Sequence, residues 1–423
     1  MRHCLTIIIG QSDLFRMISL PLKSKTNAII ALMALTAPLF NLKVVGSVTL
    51  FDVVSLFSVL VYFSRSVESK TILLIFSFTL LALVSELYGL TTLALDGKGF
   101  LDSVNVLFRY LILLFIMPYL SYKLFYFESN HRPKIDLFYT MLMFSFFGVL
   151  IFNIYAIYFQ LEDYFFLQRF CSIYGNANTA ALVLNIMSVV YLFNTQHTNV
   201  IIRLTAYAAI PLTVISLIVT GSFSGYLIQF SILTIFLYKS ANFKALTFIV
   251  VAGITLFSFE VDNIDSSGMV RGLDRFMGLS EFFTSDDTDF SEVGSAGERL
   301  ISIKMALTEL ILNPRFIFLG VGFGNVEVLV NNRTGHTTSI HLAYLQLLIS
   351  IGVIGMTMYL YIFLRIFTKI PRYLVGNDLV IQSNVLLLVF LLLGMFIPHT
   401  YMGFYFAPIF PLLGLYGVNL GHN

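Results

Sequence analysis

Apolar runs close to the roughly 20 residues that a helix needs to cross a bilayer recur along this chain, with short polar breaks between them. A soluble domain has no place for so many. Of the 423 residues, 58% are hydrophobic and 11% are charged, against about 25% charged in an ordinary soluble domain. Such a chain cannot clothe a water-facing surface, so its apolar surface must face lipid. The formal net charge is only +2, which leaves no nucleic-acid footprint. Cys4 and Cys171 lie far apart in different environments and support neither a disulfide framework nor a zinc site. With no Trp and 22 Tyr, tyrosine is the expected residue of the membrane-interface belts.

The runs place helices near 27–44, 47–64, 71–90, 104–124, 137–158, 177–194, 202–220, 223–239 and 243–260, then 339–364, 378–397 and 401–420. The expected fold is all-α, a polytopic membrane bundle of about 12 transmembrane helices with one long extracytoplasmic loop. Residues 1–26 read as a cytoplasmic tail, 27–260 as the first nine spans, 261–338 as the loop and 339–420 as the last three spans. No small-residue cleavage site follows the first apolar patch, so a signal peptide is not expected.

Orientation follows from basic residues in short loops. Arg2, Arg16, Lys23 and Lys25, then Arg65 and Lys70, fall on one side. So do Lys123, Arg132 and Lys134, then Arg203, Lys239 and Lys244, then Arg365, Lys369 and Arg372. The alternate loops carry only Lys43, Lys98 and Arg169. Both termini are therefore expected in the cytoplasm and 261–338 outside.

The outer loop begins acidic, from Asp262 to Glu298. It then turns into a helical pattern, with apolar Leu300, Ile303, Leu307, Leu310 and Ile311 on one face, ended by Asn313-Pro314. Gly320-Val-Gly-Phe-Gly324 follows. It lacks the strand–helix setting of a dinucleotide loop and reads as a structural turn. His336 and His341 lack a third ligand at helical spacing, so no metal is expected.

Several residues carry possible chemistry. His341, at the start of His341-Leu-Ala-Tyr-Leu-Gln-Leu-Leu-Ile-Ser-Ile-Gly-Val-Ile-Gly355, can take a proton near neutral pH, or it can simply cap a helix. Arg271, Arg275, Arg299, Arg315 and Arg333 lie in the outer loop, where most would balance the acids. Arg299 begins an ordered helix and offers a planar fork for phosphate. Arg109 lies inside a predicted span and needs a partner, for which Asp102 or Glu86 would serve, so it is either functional or half of a structural pair.

Four stretches, in this order around one long loop, resemble the O-antigen polymerase and ligase superfamily. They are Tyr174-Gly-Asn-Ala-Asn178-Thr-Ala-Ala; Thr220-Gly-Ser-Phe-Ser-Gly-Tyr; Arg299 to Ala306 with Asn313-Pro and the Gly320 turn; and His341 to Gly355. The likeness is detailed over roughly the second half of the chain and topological over the first. Where the family places an arginine after Thr-Gly-Ser, this chain has Phe223, so either another arginine, such as Arg109, Arg169 or Arg275, substitutes or the diphosphate is handled differently here.

The resemblance implies polymerisation of undecaprenyl-diphosphate-linked oligosaccharide repeat units into a surface polysaccharide, at the outer face of a bacterial inner membrane and without a cofactor. It implies His341 as general base and Arg299, Arg275 and Arg109 as diphosphate ligands. Asn178, Ser222 and Ser224 would meet the sugar. The lipid-linked oligosaccharide and membrane lipid are the expected partners, with a chain-length regulator protein as a further candidate. A ligase delivering the chain to lipid A-core is the alternative of the same class. A flippase for the same lipid is the alternative of another class, and it would need repeated halves or midplane charges that the sequence does not display clearly.

Overall fold

The computed structural model describes residues 24–39, 43–45, 48–62, 69–93, 116–126, 132–166, 169–195, 200–240, 295–323, 325–334, 340 and 342–368. Among these the chain is helical apart from two short antiparallel strand pairs. Three helical stretches, Pro133–Tyr158, Val200–Val219 and Tyr344–Tyr361, are long and apolar enough to cross a membrane. The expected spans 243–260, 378–397 and 401–420 lie outside the described residues, as does most of 104–124.

The first expected span is shorter than its apolar run. Helix α1 (Lys25–Thr36) is capped by Ser24, whose Oγ accepts from Asn27 N at 3.1 Å, and it tightens into a 3-10 turn at Ala37–Leu39. Pro38 cannot continue an α-helix, which explains the stop. Strands β1 (Lys43–Val45) and β2 (Val48–Thr49) then pair, and α2 starts at the next residue (Leu50–Tyr62). Helix α3 (Ser69–Leu93) follows, then a short α4 (Met117–Ser121) and the long α5 (Arg132–Tyr158).

Helix α6 (Ala177–Asn194) is the centre of the bundle, with residues 180–192 all buried. A helix apolar on every side has to be surrounded. It packs against α5, α7 (Val200–Val219) and α8 (Phe223–Ser240). The outside of the bundle carries large apolar side chains, among them Leu60, Phe76, Leu204 and Phe230. That surface suits lipid, not water.

A second cluster joins α9 (Ser295–Leu312), α10 (Pro314–Leu319) and α11 (Asn325–Thr334) to α3 and α12 (Ala343–Thr368). Helix α9 confirms the helical periodicity but turns a different face inward. Ser302, Ala306, Glu309 and Leu310 are buried, whereas Leu307 and Ile311 point outward. Small side chains at 302 and 306 let the helix approach closely. Glu309 is drawn inward by Arg333 at 2.7 Å and by Asn313, whose Nδ2 donates to its Oε2 at 2.9 Å. Arg333 thus pairs with an acid outside the Asp262–Glu298 group that the loop arginines were expected to balance.

The glycines of Gly320-Val-Gly are required by this packing. Gly320 and Gly322 have φ +73° and +90°, and Gly352 interrupts α12 at φ +67°. The kink breaks the helical ladder where Val321 N donates to Ile349 O at 2.7 Å and Gly322 N to Ser350 O at 2.8 Å. The turn and the kink therefore complete each other's hydrogen bonds. On the other side Gly89 of α3 lies against Val321 O, and Gly322 lies against the Glu86 carboxylate.

Gly322→Ala is expected to destabilise the protein by about 2–5 kcal/mol, combining an L-residue at positive φ with overpacking against Glu86. Gly148→Ala is the control, because nothing lies within 4 Å of a Cβ there. The apparent melting temperature in detergent should fall for the first and hold for the second.

Candidate functional site

The most developed polar constellation among the described residues forms where α6 and α8 begin and α7 ends. It is built from the connection after α5. Strand β3 (Phe165–Phe166) pairs with β4 (Arg169–Phe170), which sets Arg169 opposite Phe166. Phe170, fully buried, pins the hairpin to the bundle. Ser172 adopts φ 53°, and its Oγ donates to Asn153 Oδ1 at 2.5 Å. Gly175 turns the chain in the left-handed region, and Asn176 caps α6, its Oδ1 accepting from the backbone N of Asn178 at 2.8 Å and of Thr179 at 3.4 Å.

Asn176 thus does the capping and leaves the Asn178 side chain available for contacts beyond its own helix. Asn178 Oδ1 accepts from Arg169 Nη2 at 3.2 Å and from Ser222 Oγ at 3.1 Å. Arg169 also donates through Nε to Thr220 O at 3.0 Å and through Nη2 to Gly221 O at 3.3 Å. Two of the four family-like stretches, Tyr174–Ala181 and Thr220–Tyr226, are therefore fastened together by one guanidinium.

Deeper between the same helices, Asn185 Nδ2 donates to Ala181 O at 2.8 Å and Gly225 O at 3.1 Å. A Cβ on Gly225 would come within 2.8 Å of Ala181 Cβ, so glycine sets the separation of α6 and α8. The arrangement is electrostatically directional. The C-terminal carbonyls of α7 attract the Arg169 cation, while the N-termini of α6 and α8 carry partial positive charge. Arg169 and two helix N-termini make the place hospitable to an anionic oxygen. Burial pushes the Tyr174 phenol well above its usual range, so it stays neutral and does not act as a base near neutral pH.

The expected site residues divide as follows. Asn178 and Ser222 are brought together. Ser224 and Arg299 lie on α8 and α9, but their side chains are outside the described residues, as are Arg109, Arg275, His336 and His341. Leu342 is described, and its carbonyl accepts from Gln346 N at 2.9 Å. That makes Leu342 the cap residue of α12 and puts His341 one position before it.

Of Arg109, Arg169 and Arg275, Arg169 lies among the described residues, and its guanidinium reaches Asn178 and the carbonyls of Thr220 and Gly221. The sequence singled out Arg169 only as one of three candidates to replace the arginine absent at Phe223. Asn176, Asn185 and Glu309 carried no readable signal of their own, because an amide or carboxylate acquires its role from the helix that packs against it.

No family model and no curated protein matches this chain.

Proposed function

We propose that this protein is an inner-membrane polymerase that joins undecaprenyl-diphosphate-linked oligosaccharide repeat units at the outer membrane face. The observation that carries the reading is Arg169 bridging Asn178 and the Thr220–Ser222 turn at two helix N-termini. In this reading the bundle has about 12 spans, cytoplasmic termini, and the 261–338 segment on the outer side.

In the transfer, an acceptor hydroxyl attacks the anomeric carbon of the donor sugar as the bond to the lipid diphosphate breaks. Undecaprenyl diphosphate leaves with the bonding electrons, and the hydroxyl proton passes to a base, for which His341 is the candidate. Fixed cations and helix N-termini stabilise charge as it develops on the leaving diphosphate. Arg169 supplies such a cation beside Asn178 and Ser222, and Arg299, Arg275 and Arg109 are further candidates.

The test is direct. Purified protein in phospholipid vesicles should convert undecaprenyl-diphosphate-linked oligosaccharide into a ladder of longer lipid-linked chains. Product that appears only when lipid A-core is added would assign a ligase instead. Unchanged substrate that merely appears in the opposite leaflet would assign a flippase.

A further inference from the structure

We infer that helix Pro314–Leu319 and the turn after it form a re-entrant membrane segment, which enters the bilayer from the side where α12 begins and presents Phe318 to lipid acyl chains. It refines the sequence expectation that all of 261–338 lies outside, and it holds whichever transfer the protein performs.

The depth comes from contacts with a span. Tyr344–Tyr361 is an 18-residue apolar window, kinked at Gly352, that is by length and composition enough to cross the bilayer. Gly352 stands in the middle of it, and a Cβ there would collide with Phe318 O. Gly320 packs on Ser350 O in the same way. The segment therefore lies beside the middle of the span and not above its end. At about 1.5 Å per residue, Gly352 is roughly 13 Å along the axis from Ala343, deep in a hydrocarbon layer about 30 Å thick. The second wall agrees, because Gly89 and Glu86 of α3 meet Val321 and Gly322 within that helix's apolar Phe76–Thr92 stretch.

Irregular backbone at such depth is tolerated only when protein buries it and satisfies its polar groups. Protein buries this turn and pairs several of its backbone groups. Gly320, Val321, Gly322 and Phe323 are all buried, and the amides of Val321 and Gly322 donate to Ile349 O and Ser350 O. Asn325 Nδ2 donates to Val321 O at 2.6 Å. The side chain of Phe318, by contrast, is 57% exposed, as are, in part, Val353 and Ile354, which follow Gly352, the residue packed on Phe318 O. Val353 and Ile354 are exposed apolar residues of a candidate span, so lipid is the occupant that suits them and the neighbouring Phe318 segment alike. The return helix, Asn325–Thr334, ends on exposed Asn332 and Arg333, as a segment coming back to water should.

The chain has no Trp, so an introduced Trp reports alone. Full-length Phe318→Trp and Asn332→Trp proteins are reconstituted in phosphatidylcholine vesicles containing lipid brominated at mid-chain. Trp at 318 should lose most of its emission to the bromolipid and resist aqueous iodide, and Trp at 332 should do the reverse. Quenching of the 318 probe by iodide alone would overturn the inference. So would protection from both quenchers, which would mean that protein covers this face. Should Phe318→Trp fail to fold, a nitroxide on Phe318→Cys gives the same decision, with collision by dissolved oxygen expected to exceed collision by a water-soluble nickel chelate.

Discussion

Arg169→Ala is expected to cut sugar-chain extension by about 10²–10³-fold, the usual cost of removing one preorganised donor from a developing negative charge. The guanidinium holds Asn178 Oδ1 and the carbonyls of Thr220 and Gly221, so alanine also loosens the junction of three helices. Arg169→Gln separates the two effects. Glutamine can still donate to backbone carbonyls but carries no charge. If the arginine acts on the lipid diphosphate, Gln should leave the melting temperature near wild type while extension falls almost as far as with Ala. Lys should rescue only in part, because an ammonium keeps the charge and loses the planar fork. Full extension by Arg169→Gln would reduce the residue to a clamp on the end of α7 and return the anion site to Arg299, Arg275 or Arg109.

His341→Ala is expected to cost about 10²–10⁴ in rate, the range typical of losing a general base, with single lipid-linked repeats accumulating while the protein remains inserted. The competing role is helix capping. Leu342, whose carbonyl accepts the Gln346 amide, already occupies the cap position of α12, so capping demands little of His341. Asn is the discriminating substitution, since it caps well and takes no proton near neutral pH. Chains of normal length and amount from His341→Asn would end the base assignment and leave the membrane fold untouched. His336→Ala, five residues earlier in the sequence, should be mild.

Both experiments rest on residues that the sequence singled out for different reasons, and the structure has treated them differently. Asn178 and Ser222 were legible only through the resemblance that their two stretches carry, Tyr174–Ala181 and Thr220–Tyr226. Arg169 was legible only as one of three substitutes for the absent arginine at Phe223. Its hairpin makes it the one whose described contacts reach the Thr220–Ser222 turn, 51 to 52 residues away along the chain. No local pattern encodes such a distance.

The helical, lipid-suited character of the chain was settled by sequence alone, because apolar runs of bilayer length with 11% charged residues leave backbone groups no partners except their own helix. The helical stretch 300–311 and the structural nature of the Gly320 turn were equally readable, since periodicity and glycine act locally. Only tertiary structure decided which face of that helix is buried. Ser302, Ala306 and Glu309 go inward and Ile311 outward, because close approach and a Glu309–Arg333 pair outweigh simple apolar burial there. Only tertiary structure, too, joined the Gly320 turn to the Gly352 kink. Each exposes backbone groups that are costly by themselves in an apolar setting and that the other satisfies, so neither conformation could be inferred without both.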